Sequence, residues 1–144
     1  MLDAANDLKS KLSDPSLLTD KAYVAGEWVA ADDGGTFEVR NPATGDVLAH
    51  VADLGRGETA RAIDAAEKAG KDWAARTAKD RAKVLRKWFD LMMEAQDDLG
   101  AILTAEMGKP LAEAKGEIAY GASFIEWFAE EAKRIYGDVI PGHQ

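Results

Sequence analysis

The sequence contains no cysteine and only two histidines. Without cysteine, these residues can supply no disulfide bond, no thiolate metal site and no thiol nucleophile. His50 lies in an alternating, strand-like run, and His143 is the penultimate residue. We therefore interpret both as isolated histidines, and a two-histidine metal site or a Ser/His/acid triad has little support.

Positive charge is also scarce. The chain has 18 Lys and Arg residues against 26 Asp and Glu residues, a net charge of −8. This balance disfavours nucleic acid as a partner, because cationic contacts to phosphate supply most of that affinity. No apolar run approaches the roughly 18 residues of a membrane span. The N-terminal stretch lacks the continuous apolar core of a signal peptide. The sequence predicts a cytoplasmic protein without a membrane partner.

Phosphate-binding loops are absent too. Neither a Walker A pattern nor GxGxxG occurs, and Gly55-Arg56-Gly57 is too short to be one. Gly108-Lys109 ends a predicted helix rather than opening one. One further helix carries several glutamates, but no histidine accompanies them at the spacing of a carboxylate metal site. We interpret these residues as a solvated face: Glu113, Glu117, Glu126, Glu130 and Glu131.

Short strands dominate what is present in the first third of the chain. Residues 1–20 are predicted as a helix and a loop, with Leu2, Leu8 and Leu12 at helical spacing. A hairpin is predicted over residues 22–29, and a strand over residues 36–39. The sequence NPATG is typical of a turn, and the alternation after it predicts a strand over residues 46–52. The length suits about one domain, and 47% hydrophobic residues suffice for a core.

The remainder is predicted to be helical. A helix with a narrow alanine face begins near Gly57 and is expected to end at Gly70. Thr77 and Asp80 predict a capping box for a second helix. Asp97 or Asp98 is expected to cap a third, which ends at Gly108. The predicted inner face of the second helix is Ala78, Ala82, Leu85, Trp88, Phe89, Met92 and Ala95.

The last helix is unusually apolar. Pro110 suits its first turn, and the helix is expected to continue to the Gly137 region. Gly116 and Gly121 lie inside it, although each costs about 1 kcal/mol relative to alanine. Their presence indicates a close approach, either by another element or by a ligand. Two apolar stripes cover the helix: Leu111, Ala114, Ile118, Ala122, Ile125, Ala129 and Ala132, and Tyr120, Phe124, Trp127 and Phe128.

Taken in order, these segments match a known family. Four segments follow one another: AGEWV, FEVRNPATGDVLAHVA, EKAGKDW and RAKVLRKWFDLMMEAQDDLGAILTAEMGKPLAEAKGEI. In this order they resemble the amino-terminal part of the aldehyde dehydrogenase superfamily. From Trp88 onward the chain is most similar to bacterial-type succinate-semialdehyde dehydrogenases. The resemblance implies an α/β fold, in which small strands and four to five helices pack on a Rossmann-like cofactor domain. Residues 21–144 would be the N-terminal segment of that domain, ending where a bridging and oligomerisation strand begins.

The resemblance also implies an activity for the whole enzyme. Family members oxidise an aldehyde through a cysteine thiohemiacetal with NAD or NADP, here succinate semialdehyde to succinate. The nucleophile and the nucleotide-binding residues follow this region in the family, so we assign no catalytic or cofactor-binding residue and expect the 144-residue chain alone to be an inactive fragment. The full-length protein is expected to take a small-molecule aldehyde and to form a homo-oligomer. The alternative is a non-enzymatic helical module whose aromatic stripe docks a partner helix.

Two sets of site residues carry over from the resemblance. A structural Na⁺ or K⁺ would be held by the backbone carbonyl of Val39 or Arg40 and by the carboxylate of Glu106. Glu106 has an alternative role, in which it satisfies a helix end or pairs with a base. The last helix would line the substrate tunnel through one face. The tunnel residues are Gly116, Tyr120, Phe124 and Trp127.

Overall fold

The computed structural model describes residues 4–143, and Leu2 lies outside them. The described chain is an α/β arrangement of two small antiparallel sheets followed by helices, as predicted. The first elements are α1 (Ala4–Lys11), a short 3-10 helix (Pro15–Leu17), β1 (Ala22–Val24), β2 (Glu27–Val29), β3 (Thr36–Arg40) and β4 (Val47–Ala52). The remaining helices are α2 (Arg56–Ala75), α3 (Ala78–Glu94), α4 (Gln96–Met107) and α5 (Leu111–Glu131). No helix within the described residues is both long and apolar enough to cross a membrane.

The predicted hairpin and the two further predicted strands are confirmed. β1 and β2 form a hairpin in which Ala25 and Gly26 have positive φ, as a tight two-residue turn requires. β3 pairs with β4, and the register shifts between Val39 and Arg40. This irregularity leaves Leu48 without a direct partner on β3, and Leu48 lies in the core.

A small leucine cluster joins the N-terminal segment to the rest of the chain. Leu8 comes from α1, Leu12 directly follows that helix, Leu18 follows the 3-10 helix, and Leu48 comes from β4. Partly buried residues of α4 pack against the cluster, namely Ala101, Ile102 and Ala105. The predicted N-terminal helix is therefore confirmed, and it is held by Leu8 and by Leu12, which pack with a strand and a helix.

The helical layer is built on alanines of α5. Ala114, Ala122 and Ala129 are 0%, 0% and 1% exposed, and α5 packs on both α3 and α4. Side chains this small let helix axes approach closely. No large side chain among the described residues is fully buried. The core is therefore thin for a chain of this length.

The predicted end of α2 and the predicted cap of α4 are wrong. α2 does not end at Gly70 but continues to Ala75, since alanines surround the glycine and offset its lower propensity. α4 begins at Gln96 after Ala95, and neither Asp97 nor Asp98 caps it. Asp98 is buried and binds the N-terminal segment instead. The Thr77 cap is confirmed, with its hydroxyl oxygen accepting from the Asp80 amide.

The predicted position of Trp88 and the predicted end of the last helix are also wrong. Trp88, placed on the inner face of α3 by its spacing, is 55% exposed, while the neighbouring Phe89 is half-buried. α5 ends at Glu131 rather than near Gly137. Ile135 and Tyr136 remain more than 80% exposed, so continuing the helix would bury no apolar surface. Pro110 lies one residue before α5 rather than in its first turn, and its carbonyl accepts from the Ala114 amide over 2.9 Å.

Candidate functional site

The first candidate site lies where the β3–β4 turn meets the end of α4. Asn41 shapes the turn, because its side-chain oxygen accepts from the Ala43 amide and its carbonyl accepts from the Gly45 amide. Gly108 ends α4 in the left-handed conformation with φ of 79°. A Cβ on Gly108 would lie 2.9 Å from Pro42 Cγ. The turn and the helix end are therefore in direct contact.

The two predicted cation ligands are near this contact in the sequence. Val39 is half-buried in β3, three residues before Pro42, and Glu106 lies in the last turn of α4, two residues before Gly108. Partial burial raises the pKa of the Glu106 carboxyl above its ordinary value. The last turn of α4 contains no basic residue. The helix dipole places partial negative charge at the same end, so a cation there would be stabilised.

This donor chemistry fits a monovalent cation better than a transition metal. No group of three or more His, Cys, Asp or Glu side chains able to hold a metal occurs within residues 4–143. One carboxylate with a backbone carbonyl offers oxygen ligands alone, which hard cations prefer. The residues present are thus compatible with the Na⁺ or K⁺ that the resemblance implies.

The second candidate site is the outer side of α5. We call the four residues Tyr120, Phe124, Trp127 and Phe128 the aromatic face, and all four are exposed. The rings of Tyr120 and Phe124 meet edge to face, with centroids 4.9 Å apart. A groove of about 610 Å³ runs along the C-terminal half of this face. Its polar lining residues are Ser123, Glu126, Glu130, Glu131 and Arg134.

Gly116 lies on the same side of α5 as the aromatic face, one turn before Tyr120. No atom lies within 4 Å of a Cβ built on Gly116 or on Gly121. The expectation that another element approaches these glycines is therefore wrong within the described residues. The alternative, that a ligand approaches Gly116, stays a prediction.

A close approach does occur at a glycine that the sequence interpretation passed over. A Cβ on Gly100 of α4 would lie 2.8 Å from Lys115 Cγ and 3.4 Å from the Lys115 amide nitrogen. Gln96 reinforces the contact, because its side-chain amide donates to the Lys115 carbonyl over 2.9 Å. Gly100 thus fixes α4 against the N-terminal part of α5, which carries Gly116 and Tyr120.

Arg86 links the other end of α5 to α3. Its guanidinium lies 2.8 Å from Glu126 and 3.2 Å from Asp90, and it stacks over the Phe89 ring. Glu126 and Trp127 both line the groove, so this ion pair lies at its edge. Charge periodicity along α5 alone could not have identified Arg86, since its partner lies 40 residues away.

Comparison with known proteins identifies this arrangement. The model of the aldehyde dehydrogenase family matches residues 28–144. The glutarate-semialdehyde dehydrogenase of Pseudomonas putida is 63% identical over 134 residues, which are 93% of this chain and 28% of that protein. The NADP(+) succinate-semialdehyde dehydrogenase of Escherichia coli is 60% identical over 134 residues, which are again 93% of this chain and 28% of that protein.

A solved structure gives the same answer for the fold. The succinate-semialdehyde dehydrogenase from Burkholderia pseudomallei matches with a TM-score of 0.90 and 60% identity, covering 93% of this chain and 28% of that one. The chain thus spans about 28% of the length of the relatives it matches. The predicted resemblance is confirmed, and the chain belongs to the aldehyde dehydrogenase family.

Proposed function

We propose that these residues form the leading part of an NAD(P)-dependent dehydrogenase that oxidises succinate semialdehyde, or a closely related ω-oxo acid, to the corresponding acid. The identity of 60–63% to relatives named for succinate and glutarate semialdehydes carries the proposal. Both named substrates place an aldehyde at one end of a short chain and a carboxylate at the other.

In this proposal the chain supplies scaffold and tunnel wall. The family's chemistry needs a thiolate, and the sequence contains no cysteine. The aldehyde-attacking group would therefore come from polypeptide other than these residues, and we propose the same for the nucleotide-binding groups. The contribution of α5 would be to exclude water and orient the alkyl chain of the substrate.

We propose Gly116, Tyr120, Phe124 and Trp127 as the tunnel residues. Their spacing places them on one side of α5, where the side chains are exposed and the backbone at Gly116 is open. An apolar wall with one phenol suits a substrate whose charged group lies at its far end. Val39 and Glu106 are the proposed cation ligands, with a role in holding the β3–β4 turn against α4.

The activity is tested with two proteins. The 144-residue chain is purified and supplied with succinate or glutarate semialdehyde and either NAD⁺ or NADP⁺. We expect no formation of reduced nicotinamide. A chimera, in which this chain replaces the matching segment of the E. coli relative, is expected to oxidise the semialdehydes. Turnover by the chain alone, or a folded chimera without turnover, would contradict the proposal.

The tunnel residues are tested in the same chimera. Gly116→Val places a branched side chain on the proposed tunnel wall, and we expect kcat/KM for succinate semialdehyde to fall at least about tenfold. Gly121→Val is the matched control, because it carries the same local helix penalty but lies about 140° around the helix axis. Equal losses in the two variants would show that Gly116 has no special relation to the substrate.

The alternative function, a helical interaction module without catalysis, has one observation in its favour. The aromatic face and its groove are open to a partner helix. The family match, however, includes β3, the NPATG turn and β4, which such docking would not need. A folded chimera that binds a helical partner through α5 but oxidises no semialdehyde would favour this alternative.

A further inference from the structure

A side-chain hydrogen bond joins α4 to the backbone of α5 at a point where α5 is weakened. The side-chain amide of Gln96, the first residue of α4, donates to the Lys115 carbonyl over 2.9 Å, and the contact is partly buried. The next residue is Gly116. A glycine inside a helix is less stable than an alanine by about 1 kcal/mol, and its φ is less restricted. At this point α5 therefore depends on contacts from other elements.

The bond from Gln96 restrains Gly116 as well as Lys115. The Lys115 carbonyl and the Gly116 N–H belong to one planar peptide group, so a donor on the carbonyl oxygen restrains rotation of the whole group. Such a rotation changes ψ of Lys115 and φ of Gly116, and the glycine has no Cβ to oppose it. Gln96 thus holds the backbone that the proposed tunnel residue presents.

The backbone of α4 supports the same position. A Cβ built on Gly100 would lie 3.4 Å from the Lys115 amide nitrogen and 3.6 Å from the Lys115 Cα. Gln96 lies one turn before Gly100 on the same side of α4. Asp97 also reaches Lys115, but its Oδ1 lies 2.8 Å from the side-chain Nζ, and the Asp97 side chain is 79% exposed. Gln96 and Gly100 therefore fix the backbone at Lys115, whereas Asp97 contacts only the end of a flexible side chain.

The packed side of α5 and the proposed tunnel side face opposite directions. Ala114, Ala122 and Ala129 are buried, and α5 packs on α3 and α4. At about 100° per residue, the centre of these alanines lies roughly 180° around the helix axis from the centre of the four proposed tunnel residues. The Gln96 bond therefore holds α5 toward α4 and away from the tunnel. Without the bond, the backbone at Gly116 can move toward the substrate, because no described atom lies within 4 Å of a Cβ there.

We propose that Gln96 is a positioning residue that sets the width of the substrate tunnel at Gly116, and thereby the chain length of the ω-oxo acid that is accepted. The inference rests on the proposed function, in which Gly116 is a tunnel residue. A substrate held at both its aldehyde and its carboxylate has no free end, so an added methylene must bow sideways against the wall. Glutarate semialdehyde, which is longer than succinate semialdehyde by a methylene, is therefore more sensitive to a narrower tunnel.

The variant Gln96→Met in the chimera with the E. coli relative tests the proposal. Methionine matches glutamine in length and in helix propensity but donates no hydrogen bond. We expect the ratio of kcat/KM for succinate semialdehyde to that for glutarate semialdehyde to rise about three- to tenfold, a change of the size that a single methylene can give. The kcat for succinate semialdehyde should stay within about twofold of that of the native chimera, because Gln96 touches no reacting atom.

Asp97→Asn is the matched control, because Asp97 links α4 to Lys115 without contacting the backbone. It should leave the substrate ratio unchanged. A merely structural effect of Gln96→Met would also leave the ratio unchanged, since a smaller concentration of folded enzyme lowers both rates equally. Amide exchange at Gly116 gives a measurement that needs no turnover. This amide should exchange at least about fivefold faster in Gln96→Met than in the native chimera, and at the native rate in Asp97→Asn.

The outcomes separate this inference from the proposed function. If the native chimera oxidises both semialdehydes and Gln96→Met has the native ratio, the inference is overturned and the proposed function stands. Equal shifts in Gln96→Met and Asp97→Asn would also overturn it. If the chimera oxidises only one semialdehyde, the KM for that substrate should rise at least about threefold in Gln96→Met alone, and an unchanged KM would refute the inference. A folded chimera without turnover would contradict the proposed function, and the inference would fall with it.

Discussion

Asp98 ties the N-terminal segment to α4, and its replacement gives a measurable loss of stability. One carboxylate oxygen accepts from the Ser13 amide at 2.9 Å, and the other accepts from the Asp14 amide at 2.8 Å. The side chain is only 8% exposed. Hydrogen bonds to a charged group contribute about 1.5–3 kcal/mol each. Asp98→Ala removes both bonds.

The lower end of that range applies here. Ser13 and Asp14 are exposed residues, so water replaces the lost acceptor when the carboxylate is removed. We therefore expect Asp98→Ala to lower the free energy of unfolding by about 3 kcal/mol. Asp98→Asn keeps one acceptor oxygen and should lose about half as much. Asp97→Ala is the control, because its ion pair with Lys115 is on the surface and contributes less than about 1 kcal/mol.

Urea unfolding followed by tryptophan fluorescence measures the three free energies. Exchange of the Ser13 and Asp14 amides measures the local effect, and both amides should lose protection in Asp98→Ala but not in Asp97→Ala. The reasoning is refuted if Asp98→Ala costs no more than Asp97→Ala, or if the Asn variant is as damaging as the Ala variant.

Three further variants test the glycines and the candidate cation site. Gly116→Ala should raise the unfolding free energy by up to about 1 kcal/mol, since its Cβ meets open space inside a helix. Gly108→Ala should lower it by about 1–3 kcal/mol, because φ is positive and the Cβ would meet Pro42. Glu106→Gln should raise the urea midpoint slightly at neutral pH and abolish any extra stabilisation by K⁺ or Na⁺ over a bulky organic cation. Urea unfolding measures all three.

The pH dependence of the Glu106 variant has a definite sign. The pKa of the native Glu106 carboxyl is raised in the folded state from an ordinary value of 4.5, so the folded chain binds this proton more tightly than the unfolded chain. Ionisation of this carboxyl therefore lowers stability as pH rises above 4.5, and acidification through the same window removes the penalty. Glu106→Gln should flatten this part of the profile. Changes of the same sign in the unfolding free energies of Gly116→Ala and Gly108→Ala would contradict the reasoning about the two glycines. Stabilisation of Glu106→Gln by K⁺ or Na⁺ to the same extent as the native chain would contradict the cation site.

Local chemistry made much of the fold predictable. The hairpin required positive φ at its turn, the NPATG turn required an Asn side chain, and the Thr77 cap required a hydroxyl. Each of these interactions spans only a few residues. The same residues carried the family resemblance, so the fold class could also be inferred from the sequence.

Contacts between distant residues could not be predicted in this way. Asp97 and Asp98 are equivalent in a helical pattern, and only the fold places the amides of Ser13 and Asp14 beside one of them. Glycine is likewise ambiguous, because the close approach occurs at Gly100 and not at Gly116. The exposure of Trp88 has the same origin, since spacing defines a helix face but not which neighbours cover it.

The Asp98 contact has a consequence for synthesis of the chain on the ribosome. Asp98 follows its partners Ser13 and Asp14 by 85 and 84 residues in the sequence. The N-terminal segment is therefore translated long before the residue that secures it. At about 5–20 residues per second, that interval is roughly 4–17 s. Loop closure over this length adds an entropic penalty that local helices do not face. The N-terminal segment is thus made first but locked into place late, after α3 has already emerged.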